Sequence, residues 1–202
     1  MSAGIAVEPS LPPHAPGLKI GLFGGSFNPP HEGHRAASLL AFHRLGLDRV
    51  WWLVSPVNPL KDARDLAPLA DRIAAARAIA HHPRIEVTGF EAGIGARYTY
   101  QTVRYLKRRC PGVHFVWIMG ADNLATLHRW QRWREITRNV PIAVIDRPGS
   151  TLPHSPAGLA LAPFRRSASE ASVFATRKPP AIIFLYGPRS TLSSTALRTP
   201  KP

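Results

Sequence analysis

At 202 residues with 45% hydrophobic content, the amino-acid sequence is long enough to bury a sizeable core, and it suits one globular domain better than two. The single cysteine, Cys110, excludes an internal disulfide and any metal site built on a cysteine cluster; it reads as a small buried hydrophobe, with a reducing cytoplasm as the expected compartment. A formal net charge of +14 calls for, or at least tolerates, an anionic partner, whether nucleic acid, a membrane surface or phosphorylated small molecules.

The opening stretch MSAGIAVEPSLPPHAPG is proline-rich and lacks a packing pattern, so residues 1–18 are expected to form a disordered tail ahead of a domain at 19–202. It has neither the basic start nor the apolar core of a signal peptide. No run in the chain approaches the roughly 20 apolar residues that cross a bilayer, and a soluble, unprocessed protein is expected. Six strands follow: KIGLFGG (19–25), RVWWLVS (49–55), RIEVTGF (84–90), VHFVWIMG (113–120), PIAVIDR (141–147) and AIIFLYG (181–187). Several are continuously apolar, as parallel strands covered on both faces must be, and helical patterns separate most of them. HEGHRAASLLAFHRLG predicts a helix stopped at Gly46, and Pro68 opens another with Leu69, Ile73, Ala76 and Ala80 at helical spacing. Thr99 to Arg109 predicts a third, with Val103, Leu106 and Cys110 facing inward. On that helix Arg104, Lys107 and Arg108 form a solvated face or part of an anion-binding surface. Residues 149–180, rich in Ser, Pro and Ala, read as a flexible excursion. The fold class expected is α/β, a doubly wound, mostly parallel, Rossmann-like sheet.

Open parallel sheets bind ligands outside the carboxyl ends of their strands, where strand order reverses. The stretch GLFGGSFNPPHEGH (21–34) would lie there. Gly24 and Gly25 permit a tight turn and a close approach to a ligand. Asn28, Pro29 and Pro30 lead into a helix whose first turn holds His31, Gly33 and His34, with the two imidazoles on one face aimed at one anion. A Walker A loop and the GxGxxG fingerprint are both absent.

GSFNPPHEGH resembles the (S/T)xxxxHxGH signature of the nucleotidyltransferase superfamily, relatives of the class I aminoacyl-tRNA synthetases, and STLSSTALR (190–198) resembles its SSTxxR element. YTYQTV, MGADNL, HRW at 128–130 and DRPG at 146–149 are similar to pieces of the bacterial nicotinate-mononucleotide adenylyltransferases, so the resemblance spans about residues 19–198. It implies attack by the 5′-phosphate of nicotinate mononucleotide on the α-phosphorus of ATP, giving deamido-NAD and pyrophosphate. It assigns His31, His34, Lys61 and Arg198 to the reacting phosphates. Gly24, Gly25, Ser26, Phe27, Gly33, Gly120, Asp122, Ser193 and Ser194 complete the ATP site; Ser26 and Phe27 line it through their backbone, and the serines offer hydroxyls at a helix amino terminus. Tyr98, Thr99 and Trp130 would receive the mononucleotide, Trp130 by stacking on the pyridine ring and the YT pair by presenting backbone N–H groups to its carboxylate. Mg²⁺ is expected to arrive through the ATP phosphates, since the sequence offers no carboxylate cage. Arg97 stands where the family usually has serine, and only TPKP follows Arg198. The rival readings are adenylyl transfer to nicotinamide mononucleotide or pantetheine phosphate and, from another class, a basic nucleic-acid-binding protein, for which no RNA-binding aromatic motif is present. A homo-oligomer is left open.

Overall fold

In the computed structural model, residues 10–56, 66–145 and 155–187 are described. Strand β1 (Lys19–Gly25) shows how the chain divides its apolar side chains. A strand turns successive residues to opposite faces, so Ile20 and Leu22 enter one hydrophobic cluster while Phe23 enters another. The same alternation governs β2 (Arg49–Val54), with Trp51 and Leu53 on the first face and Val50, Trp52 and Val54 on the second. It recurs in β4 (His114–Gly120), where Phe115, Trp117 and Met119 oppose Val116 and Ile118. Both faces are therefore apolar and both must be covered, which a parallel sheet with helices on each side achieves.

The remaining elements supply that cover. Helix α1 (Glu32–Leu45) buries Ala37, Ala41 and Leu45 against the second face and ends where Gly46 takes φ 57°, a left-handed conformation that costs glycine little. Helix α2 (Leu69–Ala80) adds Ala76 and Ala80 to the same layer, after which β3 (Ile85–Thr88) and the one-turn helix α3 (Phe90–Gly93) follow. Helix α4 (Thr99–Arg109) covers the first face with Val103 and Leu106, and Cys110 lies just beyond its end. Its last turn carries Lys107, Arg108 and Arg109, whose charge complements the carbonyl end of the helix. Helices α5 (Ala121–Thr126), α6 (Trp133–Asn139) and α7 (Pro156–Leu161) complete that layer, separated by strand β5 (Ile142–Ile145). The two-residue strand β6 (Arg165–Arg166), a 3₁₀ segment at 168–176 and β7 (Ile182–Leu185) close the described chain.

The seven strands are parallel and ordered β3-β2-β1-β4-β5-β7-β6. Strand order reverses between β1 and β4, so the loops leaving their carboxyl ends face one crevice. The doubly wound α/β expectation holds, with three corrections. The third strand stops at Thr88, because Gly89 and Phe90 turn into α3 instead of continuing the ladder. The region read as a flexible excursion is structured from Ser155 onward: Ala157 and Leu161 join the first core, while Ala171, Phe174 and Ala175 join the second. Its small residues hid a packed surface from a reading based on large apolar runs. Residues 10–18 are likewise not loose, since Leu11 and Leu18 pack on the first core, the Gly17 N–H donates to the Gly112 carbonyl at 2.9 Å, and the His14 ring meets Trp51 edge-on.

Candidate active site

The segment joining β1 to α1 makes its reversal at Phe27, not at the glycines. Phe27 sits at φ 47°, in a region that costs a non-glycine residue roughly 1–2 kcal/mol. Gly24 and Gly25 remain in the β1 ladder opposite Leu53 and Val54. They serve packing: a Cβ on Gly24 would lie 2.9 Å from the Trp117 indole, and one on Gly25 would lie 3.3 Å from the Phe27 ring. The Phe27 side chain is fully buried and stacks on Trp52, with ring centroids 4.9 Å apart and planes inclined by 16°. Only the backbone of Phe27 is then left to line a cleft.

His31 and His34 are brought together on that aromatic floor. His31 is the N-cap of α1, just outside the first turn in which the sequence placed it, and His34 occupies the third helical position. Their ring centroids are 3.9 Å apart, and the His34 ring also lies 4.9 Å from Phe27 and 6.1 Å from Trp52. The His31 N–H donates to His34 Nδ1 at 3.2 Å, satisfying a donor that the start of the helix would otherwise leave without a partner. With Nδ1 accepting, a neutral His34 ring carries its proton on Nε2 and presents it as a donor on the opposite edge. Beneath the helix, Trp52 Nε1 donates to Ser38 Oγ at 2.7 Å and Ser38 Oγ donates to the His34 carbonyl at 2.9 Å. Sheet, aromatic stack and helix turn thus fix one imidazole together. Gly33, also buried, leaves the first turn of α1 without a side chain beside the histidines.

Across the switch point, Gly120 ends β4 and caps α5, placing exposed Asp122 in the first turn of that helix. Trp130 is half-buried and meets the Trp117 indole edge-on at 6.4 Å, so the same Trp117 ring touches both the Gly24 backbone and the tryptophan proposed from sequence. Tyr98 is the N-cap of α4 and Thr99 its first residue. The Tyr98 N–H is already taken: Gln101 Oε1 accepts from it at 3.0 Å and from the Arg97 N–H at 2.9 Å. Of the YT pair's backbone donors, that of Tyr98 is therefore engaged within the cap of α4 itself. The Tyr98 ring stacks on Tyr100, over which the Arg132 guanidinium sits at 4.9 Å, joining the start of α4 to the segment after Trp130. Arg97, Arg104, Lys107 and Arg108 are exposed.

Lys61, Ser193, Ser194, Arg198 and the DRPG stretch lie outside the described residues. Two features escaped the sequence reading. Arg72 is buried on the inward stripe of α2, where its guanidinium donates to four backbone carbonyls, and its pKa is lowered by burial. An arginine three residues after Leu69 and four before Ala76 breaks the apolar stripe, and that interruption was the available signal. Glu91, also buried, accepts from Thr102 Oγ1 at 2.5 Å; burial raises its pKa, while the threonine hydrogen bond opposes the shift. The pair ties α3 to the first turns of α4. Burial pushes the Cys110 thiol up, with the Arg109 charge opposing, so the thiolate form is disfavoured. Among the described residues no three His, Cys, Asp or Glu side chains gather to hold a metal ion, and no helix is long and apolar enough to cross a membrane.

The structure thus sets a histidine pair at the switch point of a doubly wound parallel sheet. Residues 22–200 match the family model described as cytidylyltransferase-like. The chain is 61% identical over 184 residues to the "Probable nicotinate-nucleotide adenylyltransferase" of one strain of Methylorubrum extorquens, covering 90% of this chain and 100% of that one. It is 54% identical to the like-named protein of Brucella abortus, over 90% of this chain and 94% of the relative. In fold it is similar to the Plasmodium falciparum nicotinic acid mononucleotide adenylyltransferase complexed with APC, at a TM-score of 0.66 and 16% identity over 90% of this chain and 82% of that one. The chain belongs to the cytidylyltransferase-like family and, within it, to the nicotinate-nucleotide adenylyltransferases.

Proposed function

We propose that the enzyme transfers AMP from ATP to the 5′-phosphate of nicotinate mononucleotide. A phosphate oxygen of the mononucleotide bonds to the α-phosphorus, the bond from that phosphorus to the bridging oxygen breaks, and pyrophosphate leaves as deamido-NAD forms. No protein nucleophile is needed. Such transfers depend on in-line placement and on donors aimed at developing charge. The observation that carries the reading is the His31–His34 ring pair, 3.9 Å apart at the switch point, in a chain whose relatives at 54–61% identity bear this activity's name.

In this reading His34, with Nδ1 anchored by the His31 N–H, directs Nε2–H at the α-phosphate, and His31 supports the same phosphates. Lys61, Ser193, Ser194 and Arg198 add cationic and hydroxyl donors around the triphosphate. Gly24, Gly25, Ser26, Phe27 and Gly33 offer backbone edges to ATP, with Gly120 and Asp122 across the crevice and Asp122 meeting a ribose hydroxyl. Trp130 stacks on the pyridine ring while the first turn of α4, with Tyr98 and Thr99, receives its carboxylate. Mg²⁺ would arrive with the ATP phosphates and neutralise their charge. ATP and the mononucleotide as substrates, together with a lone buried cysteine, fit an enzyme of the cytoplasm.

The test is pyrophosphate release with ATP against a panel of phosphorylated acceptors. Nicotinate mononucleotide should be turned over far faster than nicotinamide mononucleotide or pantetheine phosphate. Comparable turnover of acid and amide would sink the proposed specificity.

A further inference from the structure

Arg72 lies outside every role given above, yet it touches both of the loops that flank the histidine pair. Its side chain is 3% exposed and, among the described residues, no carboxylate pairs with it. Guanidinium donors run instead to the Ala67 carbonyl from Nε at 2.8 Å, to the Ser26 and Ser55 carbonyls from Nη1 at 2.8 Å each, and to the Pro56 carbonyl from Nη2 at 3.2 Å. Ser26 belongs to the reversal after β1. Ser55 and Pro56 follow β2, and Ala67 precedes α2, so three of the four acceptors flank the loop that carries Lys61. The Ala67 N–H also donates to Asn28 Oδ1 at 3.4 Å, a second tie between the same two loops.

A buried cation has to recover its lost hydration from dipoles, and among the described residues Arg72 does so from four backbone carbonyls. That choice has a directional consequence. In a trans peptide the C=O and N–H point in opposite directions, so pinning the Ser26 carbonyl on Arg72 turns the Phe27 N–H to the side away from α2. We infer that Arg72 is a positioning residue of the nucleotide site: it sets the Ser26–Phe27 peptide plane, and with it the backbone donor offered to an anion, and it holds Ser55, Pro56 and Ala67 against that peptide. The planar fork is essential, because its donors serve four carbonyls at once; the compact ammonium of lysine has three donors and cannot span the same acceptors. The inference rests on the proposed use of this turn as part of the ATP site.

The experiment compares wild type, R72K and R72A in steady-state pyrophosphate release, thermal melting and calorimetric ATP binding, with ethylguanidinium added to R72A. Misplacing a reacting group by about an ångström costs up to about a hundredfold in rate. R72K that melts cooperatively should therefore show kcat lowered by about tenfold or more. R72A should regain rate with millimolar ethylguanidinium but not with ammonium, a rescue that a purely structural loss would not give. Should R72A fail to fold, R72K carries the test. The proposal is overturned by a folded R72K with kcat and KM close to wild type, or by a folded R72A that ignores ethylguanidinium. If wild type itself releases no pyrophosphate, the reaction proposed above fails on its own. ATP affinity then decides for Arg72: marked weakening in R72K upholds it and equal affinity overturns it.

Discussion

The hydroxyl of Ser38 links the Trp52 indole to the carbonyl of His34, and both Ser38 and Trp52 are 0% exposed. Replacing it with alanine keeps the Cβ and creates almost no cavity, so packing is spared. What changes is that the Trp52 N–H, donating at 2.7 Å in the native protein, is left in the core with no acceptor and no access to water. An orphaned buried donor costs about 1–3 kcal/mol, and at about 2–4 °C per kcal/mol for a chain of this size S38A should melt roughly 2–12 °C lower. W52F removes the donor itself but shrinks a fully buried ring that stacks on Phe27, at a cost of its own. Because the orphan exists only when the indole is present, the double variant should be less destabilised than the sum of the two singles by about 1–2 kcal/mol. Urea denaturation of all four proteins measures this coupling. Additivity within about 0.3 kcal/mol would refute the reasoning, because it would mean that the N–H finds water or another acceptor once Ser38 is truncated.

H34A should lower kcat by about a hundredfold or more through loss of a transition-state donor, with stability reduced by loss of the bond from the His31 N–H and of the ring contacts with Phe27 and Trp52; a tenfold or smaller effect removes His34 from the proposed role. W130A should raise KM for nicotinate mononucleotide while leaving KM for ATP nearly unchanged, and equal changes in both would contradict stacking on the pyridine ring. The pH dependence of Glu91 is testable as well. Burial raises its folded pKa above the ordinary 4.5, so its contribution to stability is full below that value and declines as pH rises toward the folded pKa. E91Q, which cannot ionise, should therefore gain on wild type in denaturation experiments as pH is raised from about 4 to 7; a difference that stays flat or reverses would show that Glu91 ionises without penalty.

The alternation of apolar residues on two faces was written into the strands themselves. Ile20 and Leu22 against Phe23, or Trp51 and Leu53 against Val50 and Trp52, can satisfy both faces only beneath two helical layers, so the doubly wound sheet was legible from local pattern. The histidine spacing was legible too, because residues three apart at a helix start share a face. Local pattern could not reveal partners brought together from distant parts of the chain. That Phe27 rather than a glycine makes the turn, that Gln101 occupies the Tyr98 N–H, and that Arg72 gathers the Ser26, Ser55, Pro56 and Ala67 carbonyls are all decided by tertiary contact. The same holds for the small residues of 155–180, whose burial depends on the helices and strands they meet. Local pattern determines which side chains must leave water; only the assembled chain decides which dipoles they meet when they do.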